Sequence, residues 1–428
     1  MQKGSDVQKT TSFEIIQERP LCYALPGFQP LEIDRALLQR AGVDYPIADD
    51  IAAQLAEGSR SFRELFTHRQ LAPDNEYAEL AVPAADDLEI HNYTGMCPTN
   101  VLEVTPSKGS CACACQYCLV TDGNHVAQVS VFTDYVERLK ASLEKNTARP
   151  LFYYFSPKTE AFSEPHLFNG LAHEILRAFI DHYERHPDSK CRLFIASKAG
   201  LKHLFVRHRG DTVLRLLGQL RGKVQYNGSI GIMPEYLRNA LEPNVATFEQ
   251  RLEVLQACQS MGLAAESVLA QPLILVYLTP ENVTHYIHSL AVAGVKNIKP
   301  EFLTAEVKNL TVIAQFIHYF DPQLLGEFYY PYLKETNRGH IKQRSRMAPE
   351  RSVCVEKLAM INRIAAEHGM TISICNWVKS ELSKEAAWVS RIDTQSSANG
   401  YRCLGYQTKL FEQDREESRA DARSAHSA

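Results

Sequence analysis

The 428-residue sequence contains no apolar run close to the roughly 20 residues that a membrane helix requires, which argues against a spanning segment. Its opening, Met-Gln-Lys-Gly-Ser-Asp, lacks the apolar core of a secretory signal. Charge of one sign is also scarce. With 46 Lys and Arg against 50 Asp and Glu the formal net charge is −4, so a broad basic surface for nucleic acid is not expected. Regularly paired cysteines are missing as well. Of eleven cysteines, Cys22, Cys97, Cys191, Cys258, Cys354, Cys375 and Cys403 stand singly, without the spacing of a disulfide scaffold. Together these absences predict a cytoplasmic chain whose scattered thiols are inert core residues. Cys354, Cys375 and Cys403 have no close pair that would support an auxiliary cluster.

What is present is an ordinary globular composition, 45% hydrophobic and 22% charged. Residues 1–11 are polar and expected to be disordered. In the next stretch, 12–95, Leu31, Ile33, Leu37, Leu38, Ile51, Leu55, Phe62, Leu65 and Phe66 recur at helical spacing, interrupted at Gly42-Val43-Asp44-Tyr45-Pro46. This predicts a small helical cap, followed from Leu71 to Cys97 by a linker. Across 96–305 and beyond, short apolar runs alternate with helical segments. The runs are 100–104, 151–155, 191–196, 224–232, 265–276, 295–302 and 370–375. The helical segments include 134–144, 167–184, 212–220, 247–261 and 281–293. Such alternation predicts the α/β class, with a parallel sheet covered by helices. Six units after the first run suit a partial (β/α)6 TIM-like barrel, in which a site lies at the C-terminal ends of the strands. Residues 306–411 form a C-terminal extension, and the tail 412–428 has no apolar periodicity.

Cys111, Cys115 and Cys118 stand in Ser110-Cys-Ala-Cys-Ala-Cys-Gln-Tyr-Cys-Leu119 and spell C-x3-C-x2-C. Three thiolates on one short loop can hold three irons of a [4Fe-4S] cluster, whereas an electron-transfer cluster takes four cysteines. An open iron suits a cluster that binds something. Zinc is the alternative. Structural zinc sites usually show two ligand pairs well apart, and there is no second pair here, although Cys113 offers a fourth thiol.

The spacing resembles that of the radical S-adenosylmethionine (radical SAM) superfamily, and the core from about Asn100 to Thr304 is similar to its spore photoproduct lyase-like branch. The segments that carry the resemblance are Thr105-Pro106, Cys115-Gln-Tyr-Cys118, Ser156-Pro-Lys-Thr-Glu-Ala-Phe162, Ala196-Ser-Lys-Ala-Gly200, Leu241-Glu-Pro243, Arg251-Leu252 and Gly262. The resemblance implies a [4Fe-4S] cluster on Cys111, Cys115 and Cys118 and bound S-adenosylmethionine, whose methionine moiety chelates the open iron. Reductive cleavage then gives a 5′-deoxyadenosyl radical. It further implies Tyr117 beside the adenine, and Lys198 and Ser229 near the methionine carboxylate. Ser156, Thr159 and Glu160 occupy the exit of the second strand, where the superfamily often carries Gly-Gly-Glu. This chain lacks the glycines, and Glu160 is the physical choice for the methionine ammonium.

One departure bears on function. The photoproduct lyase uses a cysteine near the second strand as hydrogen donor, and here no cysteine lies between Cys118 and Cys191. With the acidic balance, this argues against DNA thymine-dimer repair. The overall layout, rather than a motif, resembles an aminoglycoside radical dehydratase, and that resemblance implies dehydration of a vicinal diol on a small polar metabolite, an aminosugar or polyol. The alternatives are a DNA photoproduct-type lyase and a non-catalytic metal-binding scaffold. Dehydration needs acid–base groups, and Tyr226 and Glu301 are the candidates by position near strand exits. A packed tyrosine and a solvated glutamate are the plainer readings. The aromatic segment 326–334 either closes the mouth of the barrel or packs as part of the extension. Arg338, His340, Lys342, Arg344 and Arg346 form either a solvated loop or a docking patch for a reducing partner such as flavodoxin or ferredoxin.

Overall fold

The computed structural model describes residues 25–71, 78–82, 101–109, 111, 113–118, 128–132 and 134–392. Residues 1–11 and 412–428, together with Cys22, Cys97 and Cys403, lie outside the described residues. The strands in chain order are β1 (Ala78–Val82), β2 (Val101–Val104), β3 (Ser107–Gly109), β4 (Gln128–Phe132), β5 (Phe152–Phe155) and β6 (Arg192–Ser197). They continue with the hairpin β7 (Arg207–His208) and β8 (Asp211–Thr212), then β9 (Val224–Ser229), β10 (Ala264–Leu273), β11 (Asn297–Phe302) and β12 (Thr371–Ile372).

Seven of these form one sheet in the order β12-β11-β10-β9-β6-β5-β2, and every pairing in it is parallel. Each of the seven apolar runs carries one of its strands. Apart from β3 and β4, which lie between β2 and β5 in the chain, and the hairpin β7–β8, strands adjacent in the sheet are adjacent in the chain, because the crossover helices return the chain to the next position. The predicted helices fall at Tyr135–Asn146, Leu171–Arg185, Val213–Gln219, Phe248–Ser260 and Pro280–Val292. The run expected from 167 to 184 is in fact two helices, Glu164–Phe168 and Leu171–Arg185. They are divided at Gly170, whose φ is +80° and where a Cβ would fall 2.3 Å from the His208 ring.

The two faces of the sheet differ. One presents Leu102, Val104, Tyr153, Phe155, Leu193, Ile195, Val224, Tyr226, Ala265, Val268 and Ile298 to the helices, in one continuous core. By the period-two alternation of strands, the neighbours of these residues look the other way. They include a small apolar group, Val101, Phe152, Tyr154 and Phe194, and a buried polar band of Glu103, Gln225, Asn227, Ser267, Asn297 and Lys299. The band is partly self-satisfied: Ser373 Oγ donates to Asn297 Oδ1 at 3.0 Å, and Lys158 Nζ lies 3.0 Å from Glu103.

Two features depart from the sequence expectation. The presumed linker contains β1, which pairs parallel with β4, while β3 pairs antiparallel with β4 in a separate three-stranded sheet. The helical cap, Arg35–Arg40 and Asp49–Leu71, does not precede the rest as an independent layer. Phe28 stacks on Phe316 at 5.3 Å, Phe62 meets Phe316 edge-on at 5.8 Å, and both share a second core with Phe328, Tyr329 and Tyr332. Gly326 lets this layer close, since a Cβ there would meet the Ala41 carbonyl oxygen at 1.8 Å. The aromatic segment 326–334 is therefore largely core: Phe328, Tyr329, Tyr332 and Leu333 are buried against the cap.

Candidate functional site

The cysteine loop follows β3, so β2 and the small sheet deliver it to the C-terminal edge of the main sheet. It is tied down where Gln116 N–H donates to the Leu241 carbonyl at 2.8 Å. Cys111, Cys113, Cys115 and Cys118 all line one cavity of about 270 Å³. Tyr117, Ser156, Thr159, Glu160, Lys198, Ser229 and Glu301 line the same cavity. Of the catalytic, cofactor-binding and metal-ligating candidates read from the sequence, Tyr226 alone is not brought there. It lies one residue out of phase with Gln225 and Asn227, so it faces the helices, 1% exposed and stacked on Phe162 at 6.5 Å.

The exit of β5 turns sharply. Ser156 has φ +53°, a left-handed conformation uncommon outside glycine, and its hydroxyl pairs with that of Thr159 at 2.8 Å. Ala114, inside the cysteine loop, is also left-handed at φ +48°. Glu160 links two strand exits. Its carboxylate accepts from the Ser197 hydroxyl at 2.5 Å, the Lys198 N–H at 2.8 Å and the Phe162 N–H at 3.2 Å. Behind it, His166 places Nδ1 3.1 Å from the Glu160 carbonyl and Nε2 2.9 Å from Ser107 Oγ. Burial holds this imidazole down at about 4.

Lys198 points at the cysteine loop. Its ammonium lies 3.6 Å from Cys115 Sγ and 3.6 Å from Glu242, and 5.1 Å above the Tyr117 ring. Burial opposes its charge, but Cys115, Tyr117 and Glu242 outweigh it and raise the ammonium well above the usual lysine range. Burial pushes the Cys115 thiol up to about 12, against the pull of Lys198. A hydrogen bond between Cys111 and Cys113 lowers the first thiol and raises the second.

Glu242 is the organiser that motif reading missed. It is fully buried and accepts from Arg251 Nη2 at 2.5 Å and from the Tyr117 hydroxyl, with Lys198 at 3.6 Å and Arg238 at 4.0 Å. Burial alone would raise its carboxyl; Arg251, Lys198 and Arg238 reverse that and hold it far below the usual carboxylate range. Arg251 also donates to the Ser229 carbonyl at 2.8 Å and the Ala246 carbonyl at 2.9 Å. The Leu241-Glu-Pro243 and Arg251-Leu252 segments carried the signal, but their spacing did not say that the two charges meet.

A larger cavity of about 720 Å³ adjoins the first and shares Tyr154, Pro157, Gln271, Glu301, Phe302, Thr304 and Arg346 with it. Glu301, on the common wall, has Oε1 3.2 Å from Nζ of Lys299, which lines the larger cavity. Within the basic segment, Arg344 pairs with Glu57 at 3.0 Å and Arg346 reaches both cavities. Cys354 and Cys375, read from sequence as isolated thiols, both line the larger cavity. Cys191 is buried at the opposite end, before β6, with its thiol 3.4 Å from the Asn146 carbonyl. Among the described residues no helix is long and apolar enough to cross a membrane. No protein-family model matches the chain, and no curated protein matches it.

Proposed function

We propose that this protein is a radical SAM enzyme that removes a hydroxyl from a vicinal diol of a small polar metabolite, an aminosugar or polyol. One observation carries the reading. The three cysteines of C-x3-C-x2-C share a cavity with Tyr117, Ser156, Thr159, Glu160, Lys198 and Ser229, at the exits of consecutive parallel strands. Consecutive parallel strands joined by helices are also the arrangement of a partial (β/α)6 barrel.

The donor set fits the implied cofactors. Three soft thiols on one loop would hold the [4Fe-4S] cluster, and the Lys198 ammonium beside Cys115 would offset thiolate charge. Three donors occupy three of the roughly four acceptor positions of the Glu160 carboxylate, which leaves one for the methionine ammonium. Lys198 would bind the methionine carboxylate. The Tyr117 ring, fixed by its hydroxyl on Glu242, would lie against the adenine. When bound, these groups supply one-electron reductive cleavage to a 5′-deoxyadenosyl radical, with flavodoxin or ferredoxin as the reducing partner.

The larger cavity would take the substrate. With its neighbour it falls in the range of about 300–1,000 Å³ typical of small-molecule sites. Its wall carries Glu301, Glu350, Glu381 and Glu385 along with Lys299 and Arg346, which suits a ligand with ammonium and hydroxyl groups. Glu301 is the general base, taking a proton from a substrate hydroxyl at its carboxylate, while Lys299 holds that carboxylate in place. Tyr226 has no part in proton transfer because it faces the core.

A second reading, a photoproduct-type lyase, gains from Cys354 and Cys375, which supply thiols to the cavity wall from an unexpected part of the chain. The net charge of −4 opposes it, since a DNA site must neutralise phosphates. Anaerobic reconstitution followed by iron and sulfide analysis tests the cluster. Incubation with a reductant, S-adenosylmethionine and a panel of deuterated aminosugars, polyols and photoproduct-containing DNA tests the reaction. Deuterium in 5′-deoxyadenosine with an aminosugar or polyol supports the proposal. Turnover of DNA alone transfers the assignment to the lyase, and absence of any cleavage by cluster-loaded protein removes the enzyme reading.

A further inference from the structure

At the end of the sheet away from the cysteine cavity, we infer a second metal site, for a divalent zinc-like ion, formed by Glu144, His182 and His186. The helix Tyr135–Asn146 carries Glu144, and the helix Leu171–Arg185 carries His182, with His186 at its C-cap. The two histidines are four residues apart and therefore share a face. Glu144 meets them from the neighbouring helix. One ligand atom from each of the three residues lies within 4.8 Å of the others.

The state of His182 is the second, independent observation. Its side chain is fully buried. Nε2 lies 2.8 Å from Ser189 Oγ, and Ser189 donates in turn to the Thr147 carbonyl at 3.3 Å. With its proton committed there, Ser189 accepts from Nε2–H, and the lone pair of His182 falls on Nδ1. That atom has no hydrogen-bond partner and faces a carboxylate oxygen of Glu144 at 3.6 Å. The Glu144 oxygen it faces is partly exposed and already pairs with Arg185, so the buried Nδ1 lone pair is the group left without a partner, and a metal ion would satisfy it. His186 Nε2 approaches the other oxygen at 2.8 Å.

Metal–donor bonds of about 2.0–2.2 Å in a tetrahedron put donors about 3.4 Å apart. The separations of 3.6 and 2.8 Å bracket this, so small side-chain rotations would complete the site. Imidazole with carboxylate suits zinc among the available divalent metals. Ser189 acts as the outer hydrogen-bond partner that usually orients a ligating histidine. Arg185, 2.5 Å from Glu144, is the competing cation. Its side chain is 52% exposed, so it can turn into solvent at small cost. The solvent side, where Glu144 and His186 are partly exposed, leaves a fourth position for water. Such an ion would clamp the two helices that pack behind β5 and β6, and would stabilise the fold by binding only the native state.

The test uses the full chain with Cys111, Cys113, Cys115 and Cys118 replaced by alanine, so that the loop thiols take no metal. Equilibrium dialysis against zinc should give one ion per chain and a raised Tm. Cobalt should give a visible spectrum of nitrogen and oxygen ligation with no thiolate charge-transfer band. His186→Ala and Glu144→Gln, both at partly exposed positions that the fold tolerates, should each weaken zinc binding at least tenfold. Ser189→Ala should weaken it about tenfold to a hundredfold. Zinc binding unchanged in His186→Ala overturns the assignment. So does an unchanged Tm with no bound zinc, which would leave a plain imidazole–carboxylate pair.

Discussion

Replacing Glu242 with alanine tests whether one buried carboxylate organises the cysteine end of the sheet. The substitution leaves Arg251, 1% exposed, and the Lys198 ammonium without their common anion, and removes the acceptor of the Tyr117 hydroxyl. Breaking a buried ion pair by removing one partner costs about 3–5 kcal/mol, because the remaining charge is desolvated and uncompensated. Arg251 keeps its bonds to the Ser229 and Ala246 carbonyls, which places the expected loss toward the lower end of that range. Anaerobic urea unfolding of the apo form should therefore show a loss of about 3 kcal/mol. The double variant Glu242→Ala/Arg251→Leu should recover part of it, with a coupling of about 0.5–3 kcal/mol. S-adenosylmethionine affinity should fall in both, since Tyr117 and Lys198 lose the group that aims them. A loss below about 1 kcal/mol, or strict additivity in the double variant, would refute the reasoning.

Four further outcomes are expected. Cys115→Ala should abolish S-adenosylmethionine cleavage and lower iron content after reconstitution, whereas Cys113→Ala should leave both nearly intact; equal damage would mean a four-thiolate site. Lys198→Met should weaken S-adenosylmethionine binding roughly tenfold or more in equilibrium titration, the value of one charge-assisted contact, and unchanged affinity would remove Lys198 from the binding role. His166 is held at about 4 against a usual 6.5, so the unfolded chain binds the proton first, and stability should fall as pH drops from 6.5 to 4. The contribution is about 3 kcal/mol at about 1.4 kcal/mol per unit, and the slope should flatten in His166→Asn; an identical slope in wild type and variant would discard it. Glu301→Gln should remove turnover while retaining S-adenosylmethionine binding, and Tyr226→Phe should retain turnover; the reverse pattern would return Tyr226 to the chemistry.

How far the sequence could be read depended on the range of the interactions involved. The seven strands were visible because burial on both faces demands runs such as Phe152–Phe155, and the cysteine loop was visible because its ligands are neighbours in the chain. Assigning Tyr226 to the mouth failed on phase: a residue at a strand exit reaches the cavity only in register with Gln225 and Asn227. The union of the cap with residues 306–347 was hidden because Phe28 and Phe316 are 288 positions apart, and no local pattern announces that meeting. Cys354 and Cys375 were unreadable as cavity residues for the same reason.

The same distinction explains why the site's chemistry and its support lie in different kinds of sequence. The thiols need only one loop, but a loop of four cysteines with a left-handed Ala114 does not hold its own shape. Two buried carboxylates supply the restraint. Glu160 binds the backbone of Lys198 and the hydroxyl of Ser197, fixing the β5 exit to the β6 exit. Glu242 gathers Tyr117 from the loop, Lys198 from β6 and Arg251 from the helix behind β9. Each carboxylate thus joins segments that are remote in the chain, and Lys198 belongs to both sets, through its backbone to one and its ammonium to the other. A side-chain change at Lys198 therefore alters the Glu242 set and leaves the Glu160 set in place, because the backbone bond to Glu160 survives any substitution except proline. Its effect on ligand binding has to be read beside that of Glu242→Ala, which perturbs the same set without removing the ammonium.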